Sequence, residues 1–133
     1  MAEDKLQLLE IVTPERKVYS QEVRFVVVPG SEGELGFLPD HAPLVSALKI
    51  GLVRVHHEGK ILKIAVSGGF VEVRNSRVTV LANSAEREDQ IDVKRAEAAK
   101  ERAERRLQGG GDIDVLRAEA ALKRAINRLK AVS

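Results

Sequence analysis

Residues 78–96, VTVLANSAEREDQIDVKRA, change pattern midway, and that change divides the chain. Val78 and Val80 alternate with Arg77 and Thr79, the period-two spacing of a half-buried strand. From Glu86 onward there is no proline, β-branched residues are few, and Ala, Glu, Lys and Arg dominate, which is the composition of helix. Working back from the switch, Val23, Phe25 and Val27, then Leu62, Ile64 and Val66, repeat the strand spacing. Turn signals separate them at Pro14, Pro29-Gly30, Glu58-Gly59, Gly68-Gly69 and Asn75-Ser76. Strands that each bury one face need a second layer to bury it against, so residues 1–85 are expected to form an antiparallel β-sandwich.

Working forward, Gly109-Gly110-Gly111 interrupts the helical stretch and Asp112 is placed to cap a second helix. The sequence predicts one helix from Asp89 or Gln90 to Gln108, a tight turn and then that second helix. The fold class is therefore β + α, with residues 86–133 forming a C-terminal antiparallel αα-hairpin. The two helices are near copies: IDVKRAEAAKERAERRL at 91–107 and IDVLRAEAALKRAINRL at 113–129 agree at twelve of seventeen positions, with an offset of 22. Ala96, Ala99, Ala103 and Leu107 fall on one stripe, matched by Ala118, Ala121, Ala125 and Leu129. A seam of alanines lets helix axes approach closely yet buries little area, so the hairpin should be weakly held and its docking conditional. Leu116, Leu122 and Ile126 widen the apolar stripe of the second helix toward another partner.

Composition limits the function. The 133 residues carry 22 Lys and Arg against 20 Asp and Glu, a net charge of +2 that gives no nonspecific grip on a polyanion. After Ser84, ten acidic residues offset twelve basic ones and no aromatic platform exists, which disfavours nucleic acid. Absence of cysteine removes disulfides, thiolate zinc sites and a cysteine nucleophile. No apolar run is long enough to span a bilayer, and MAEDKLQLLE has neither the basic nor the apolar region of a signal peptide.

Among candidate sites, adjacent His56 and His57 leave opposite faces of a strand and do not share a metal, and His41 has no nucleophile motif near it. The glycine-rich run 30–39 has no following Lys-Ser/Thr, and Glu32 and Glu34 repel phosphate, so it reads as a tight loop presenting Glu34 and Phe37 to a partner. Arg95, Arg102 and Arg106 lie within about 40° of each other on the helical wheel, as do Arg117, Arg124 and Arg128. These rows are either solvated faces laced by weak ion pairs or, once the hairpin closes, a convergence of guanidinium groups on one anion.

The runs SEGELGFLPDHAPLVSAL (31–48), VSGGFVEV (66–73), VTVLANSAE (78–86) and IDVKRA (91–96) together resemble the epsilon subunit of bacterial F-type ATP synthases, of the ATP-binding kind found in bacilli. The resemblance implies a non-catalytic subunit of the central stalk, without catalytic residues, metal or required cofactor. Its sandwich would bind the gamma subunit and rest on the c-ring, coupling proton flow to rotation, with Glu34 and His41 turned toward the ring. Its helices would act as a switch, permitting hydrolysis when folded and inhibiting it when extended toward the alpha/beta catalytic hexamer, where Arg117, Lys123, Arg124 and Arg128 would meet an acidic surface on beta. Location at the cell membrane, peripheral and on the cytoplasmic side, follows from the complex. The same resemblance implies ATP as regulatory ligand: Ile91, Asp92, Arg95 and Ala96 match an I/L-D-x-x-R-A motif, and Glu86, Arg102, Arg124 and Arg128 correspond to further contacts. The glycine turn is a departure, shorter by a residue than in ATP-binding relatives. A stand-alone ATP-sensing adaptor would use the same hairpin without a rotor.

Overall fold

In β1 (Gln7–Val12) and β7 (Arg77–Ala82), alternate residues are buried, so Leu9, Ile11, Val78 and Val80 meet in one interior while Arg77 and Leu81 face outward. The computed structural model describes residues 5–109 and 114–133. Its other strands are β2 (Lys17–Val23), β3 (Phe25–Gly30), β4 (Gly33–Phe37), β5 (Leu44–His57), β6 (Lys60–Arg74) and β8 (Ala85–Arg87). Hydrogen bonding is continuous in the order β2-β1-β7-β6-β5-β3-β4, with β8 also on β6. Every pairing is antiparallel except β1 with β7, which is parallel, so the sandwich is mostly antiparallel.

The two layers come from one long hairpin. β7 takes the far half of β6, from Gly69 to Arg74, whereas β8 pairs with Ile64, Ala65 and Val66. The strands can part company because Gly68 and Gly69 have φ of +84° and +121°, a region closed to most side chains. A methyl group on Gly69 would lie 2.0 Å from the Leu81 carbonyl oxygen. The core between the layers is aliphatic, with Leu9, Ile11, Val26, Val53, Ile64 and Val71 fully buried, each contributing roughly 1.5–3 kcal/mol. Phe37 belongs to this core at 1% exposure, which corrects the expectation that it is offered to a partner. Period two places it there: on β4, Phe37 shares its inward face with Leu35, while Glu34 and Gly36 look outward.

The chain leaves the sheet after β8. The expected helix start at Asp89 or Gln90 is replaced by a single 3-10 turn over Glu88–Gln90, and the backbone is extended at Ile91. Asp92 caps the true first helix, its Oδ1 accepting from the Arg95 amide at 3.1 Å, so α1 runs Val93–Gly109. Asp114 does the same for α2 (Val115–Ala131), accepting from the Arg117 amide at 3.0 Å. Asp112, expected to cap α2, lies outside the described residues, as do Gly110 and Gly111 of the expected turn. Ala96 and Ala103 of α1 and Ala118 and Ala125 of α2 are buried as the seam, with Ala99, Ala121, Leu107 and Leu129 half-buried. α2 is the helix that lies against β5 and β6. Leu122 and Ile126 are half-buried there, but Leu116, the second residue of α2, is 79% exposed and takes no part.

Candidate functional site

Where the sheet hands over to the hairpin, four segments meet around a cleft of about 470 Å3. β8 brings Glu86, held in register against Ala65. The 3-10 turn brings Gln90 and is pinned to the sheet by Glu88, whose Oε1 accepts from the Lys63 amide at 2.9 Å. Arg87 is fixed beside it, paired with Asp89 at 3.2 Å and lying over the Tyr19 ring at 5.8 Å. The first turns of α1 bring Asp92, Arg95, Ala96, Ala99 and Arg102, and the last turn of α2 brings Arg128. Ala96 and Ala99 form a floor without bulk, over which side chains from the rim reach inward.

Three guanidinium groups and two carboxylates line this space. Arg128 Nε donates to Glu86 Oε1 in a short ion pair that closes the sandwich onto α2, with the two side chains 30% and 38% exposed. One oxygen of Asp92 is committed to the helix cap, which leaves the other as an acceptor. Arg95 and Arg102 are exposed and unencumbered by any ion pair among the described residues. An arginine fork suits phosphate oxygens, and the remaining carboxylate oxygen suits an amino group.

Six of the residues expected from sequence therefore share one cleft: Glu86, Asp92, Arg95, Ala96, Arg102 and Arg128. Arg124 stands in an adjoining niche with Ser67, Ser84 and Asn127, also in reach of Glu86 and Arg128. Ile91 is half-buried at the junction and does not line the cleft. Gln90 and Ala99 were not anticipated; Ala99 was legible as the next member of the small-residue stripe after Ala96. Asn127 was also missed. It is buried, and its Nδ2 donates to the Gly51 carbonyl at 2.7 Å and the Val66 carbonyl at 3.4 Å, fastening α2 to the waist of the sandwich. Lys63 Nζ adds a bond to the Ser133 carbonyl at 2.9 Å.

The second expected surface lies elsewhere. Glu34 faces outward on β4 and accepts from Arg54 of β5 at 3.0 Å. His41 sits in the following loop, exposed, its Nδ1 with the Ala42 carbonyl at 2.7 Å and its ring edge-on to Phe37 at 5.0 Å. Asp40 anchors that loop: its carboxylate accepts from Lys5 at 2.9 Å and from Ser76 Oγ at 3.0 Å. Those two bonds, Lys5 first, hold its carboxyl below the ordinary value. Leu38, at 56% exposure, is the apolar side chain this loop offers.

Comparison with known proteins agrees with the division into two parts. Residues 6–88 match the ATP synthase delta/epsilon chain beta-sandwich domain, and residues 89–133 match the long alpha-helix domain of the same chains. The ATP synthase epsilon chain of Desulforamulus reducens is 65% identical over 107 residues, 80% of this chain and 81% of that one. That of Carboxydothermus hydrogenoformans is 60% identical over 78% of this chain and 77% of its own. That of Brevibacillus brevis is 55% identical over 74% and 76%. In fold, the chain resembles one from the Euglena gracilis mitochondrial ATP synthase assembly of OSCP, F1 and c-ring, with a TM-score of 0.82 at 24% identity over 96% of this chain and 82% of that one. With both domains matched in order and relatives this similar along most of its length, the chain belongs to the ATP synthase epsilon chains, a non-catalytic subunit of that complex.

Proposed function

We propose that this central-stalk subunit joins a coupling foot to an ATP-sensing arm. The sandwich binds the gamma subunit and rests on the c-ring through the face carrying Glu34 and His41, so that the complex holds the chain peripherally on the cytoplasmic side of the cell membrane. The hairpin takes two positions. Extended, it reaches the alpha/beta hexamer and inhibits hydrolysis; folded against the sandwich, it permits hydrolysis, and ATP is the ligand that holds it folded.

The observation that carries this reading is the composition of the cleft wall. Glu86 comes from the sandwich, Asp92, Arg95 and Arg102 from α1 and Arg128 from α2, so the wall is complete only when all three parts are together. A ligand that needs all of them binds the folded form and not the extended one, and such differential affinity is what shifts an equilibrium. At a hundred times its dissociation constant, ATP would stabilise the closed form by about 2.7 kcal/mol, enough to dominate a thin alanine seam. Phosphates would lie against Arg95, Arg102 and Arg128 with Arg124 close by, and the uncommitted Asp92 oxygen would accept from the adenine amino group.

Calorimetric titration of the full chain with ATP tests this, with GTP as control. Saturable binding of ATP, weaker binding of GTP and loss of both in the Asp92→Ala/Arg95→Ala variant are expected. An unchanged isotherm in that variant, with the sandwich still folded, would reject the site.

A further inference from the structure

Gln90 is the one polar member of the cleft wall that is neither charged nor engaged in a cap. The other polar groups there are carboxylates, which only accept, and guanidinium groups, which only donate, whereas a glutamine amide does both. Gln90 closes the 3-10 turn over Glu88–Gln90 and is exposed, and its amide makes no hydrogen bond among the described residues. Its place is fixed all the same. The turn is held to the sheet by Glu88, which accepts from the Lys63 amide at 2.9 Å, and by Arg87, paired with Asp89 and lying over the Tyr19 ring. Ile91 follows with an extended backbone, φ −81° and ψ 126°, and extended backbone sends alternate side chains to one side. Gln90 and Asp92 both line the cleft while Ile91 between them does not, and two such positions have Cα atoms at most about 7 Å apart.

The cleft is polarised along α1. Arg102 stands ten residues beyond Asp92, roughly 15 Å along the helix by its rise, with Arg95 between them. That length is comparable to the separation of base and terminal phosphate in an extended nucleoside triphosphate. Phosphate is drawn toward the guanidinium groups and repelled from Asp92, which leaves the base at the Gln90 end. We propose that Gln90 is a specificity-determining residue of this cleft: its Oε1 accepts from the exocyclic amino group of adenine and its Nε2 donates to a ring nitrogen beside that group. The proposal rests on reading the cleft as an ATP site. Adenine carries an amino donor flanked by ring acceptors, a pattern that a glutamine amide matches with two parallel bonds. The amino group has two hydrogens, and the Asp92 oxygen not committed to the cap takes the second. Guanine has a carbonyl oxygen at that position, which the Asp92 carboxylate repels whichever way the Gln90 amide turns.

Calorimetric titration of the full chain with ATP, 1-deaza-ATP and 7-deaza-ATP, each analogue lacking one ring nitrogen beside the amino group, tests the contact as a cycle of residue against ligand atom. The native chain should bind one of the two analogues roughly five- to tenfold more weakly than ATP. In Gln90→Ala, ATP should weaken by at least that factor, and the difference between ATP and that analogue should disappear. Gln90→Glu keeps the acceptor and removes the donor, so there the same analogue should bind at least as well as ATP. Parallel weakening of all three ligands in Gln90→Ala, with the native preference kept, is what a merely structural role gives and would overturn the contact. Equal affinity of the native chain for all three ligands would overturn it too, and in both cases ATP stays the ligand of the cleft. Absence of ATP binding to the native chain would instead remove both readings, so the two failures are told apart.

Discussion

The sandwich and the hairpin are held together by different means. Between the sheets, residues such as Leu9, Ile11, Phe37 and Ile64 are sealed from water, each contributing roughly 1.5–3 kcal/mol. Along the helix seam the buried residues are Ala96, Ala103, Ala118 and Ala125, whose single methyl groups contribute roughly 0.8 kcal/mol each by the same reckoning. What the hairpin lacks in apolar area it recovers with polar fasteners: Asn127 on the Gly51 and Val66 carbonyls, Arg128 on Glu86, and Lys63 on the chain end. Hydrophobic burial is collective and hard to undo in part, whereas a few polar contacts can exchange partners. The molecule is therefore built as a firm base carrying an arm fastened mainly by a few polar contacts.

The largest break in this contrast should come from the core. Phe37→Ala removes a fully buried ring and is expected to cost about 3–5 kcal/mol, lowering the denaturant midpoint of the sandwich and carrying the hairpin down with it. A change confined to the hairpin signals would mean that Phe37 does not belong to the shared core. Next comes the latch. Asn127→Ala leaves two carbonyls at the waist without their side-chain donor and should weaken docking by about 1–3 kcal/mol. Hydrogen exchange should then speed up across α2 and leave β1 and β7 protected; uniform acceleration would show that arm and base are one cooperative unit. Smaller again are the caps. Asp92→Ala and Asp114→Ala should each cost about 1 kcal/mol of helix stability, but only the former should abolish ATP binding in the cleft. Equal losses of ATP affinity would mean that Asp92 acts through helix stability alone.

The strand periodicity and the helical hairpin were legible in the sequence because each is a local pattern, but the switch read at residue 86 falls inside β8, which carries the sheet through Arg87. Two features were hidden. The parallel pairing of β1 with β7 joins residues about seventy positions apart, and no local pattern reports it. The helix start was misplaced because Asp89 and Gln90 carry helical composition, while Glu88 is drawn to the Lys63 amide and ends that turn early. The docking face was legible in retrospect from where the repeat breaks. Lys100, Glu104 and Arg105 of α1 are replaced in α2 by Leu122, Ile126 and Asn127, three changes away from charge that mark the helix resting on the sheet. Leu116 also replaces a charged residue, Lys94, yet stays exposed, so loss of charge at a repeat position does not by itself mark the docking face. Of the cleft, the arginines and Asp92 were readable from the motif, whereas Gln90 enters through the course of the 3-10 turn.

The smallest effects expected are those of pH on two groups of the base. Asp40 has its carboxyl lowered from the ordinary 3.8, mainly by the Lys5 hydrogen bond and then by Ser76. A carboxylate favoured by folding stabilises fully above its unfolded value and loses that contribution as pH falls through the lower folded value, so the loss is confined to acid below about pH 4. Tyr19 is displaced the other way: burial raises its hydroxyl above 10.0 against the opposing charge of Arg87. Folding there favours the neutral phenol, so stability is complete below pH 10 and falls as pH rises toward the folded value. Thermal melts of the native chain should therefore drop at both extremes, the acid limb flattening in Asp40→Asn and the alkaline limb in Tyr19→Phe. Since Asp40 joins the β4–β5 loop to Ser76 at the β6–β7 turn and Tyr19 lies on β2, both limbs should appear in sandwich signals. An alkaline limb that persisted in Tyr19→Phe would assign that loss to the surface lysines, and one confined to the helices would dissolve the distinction between base and arm.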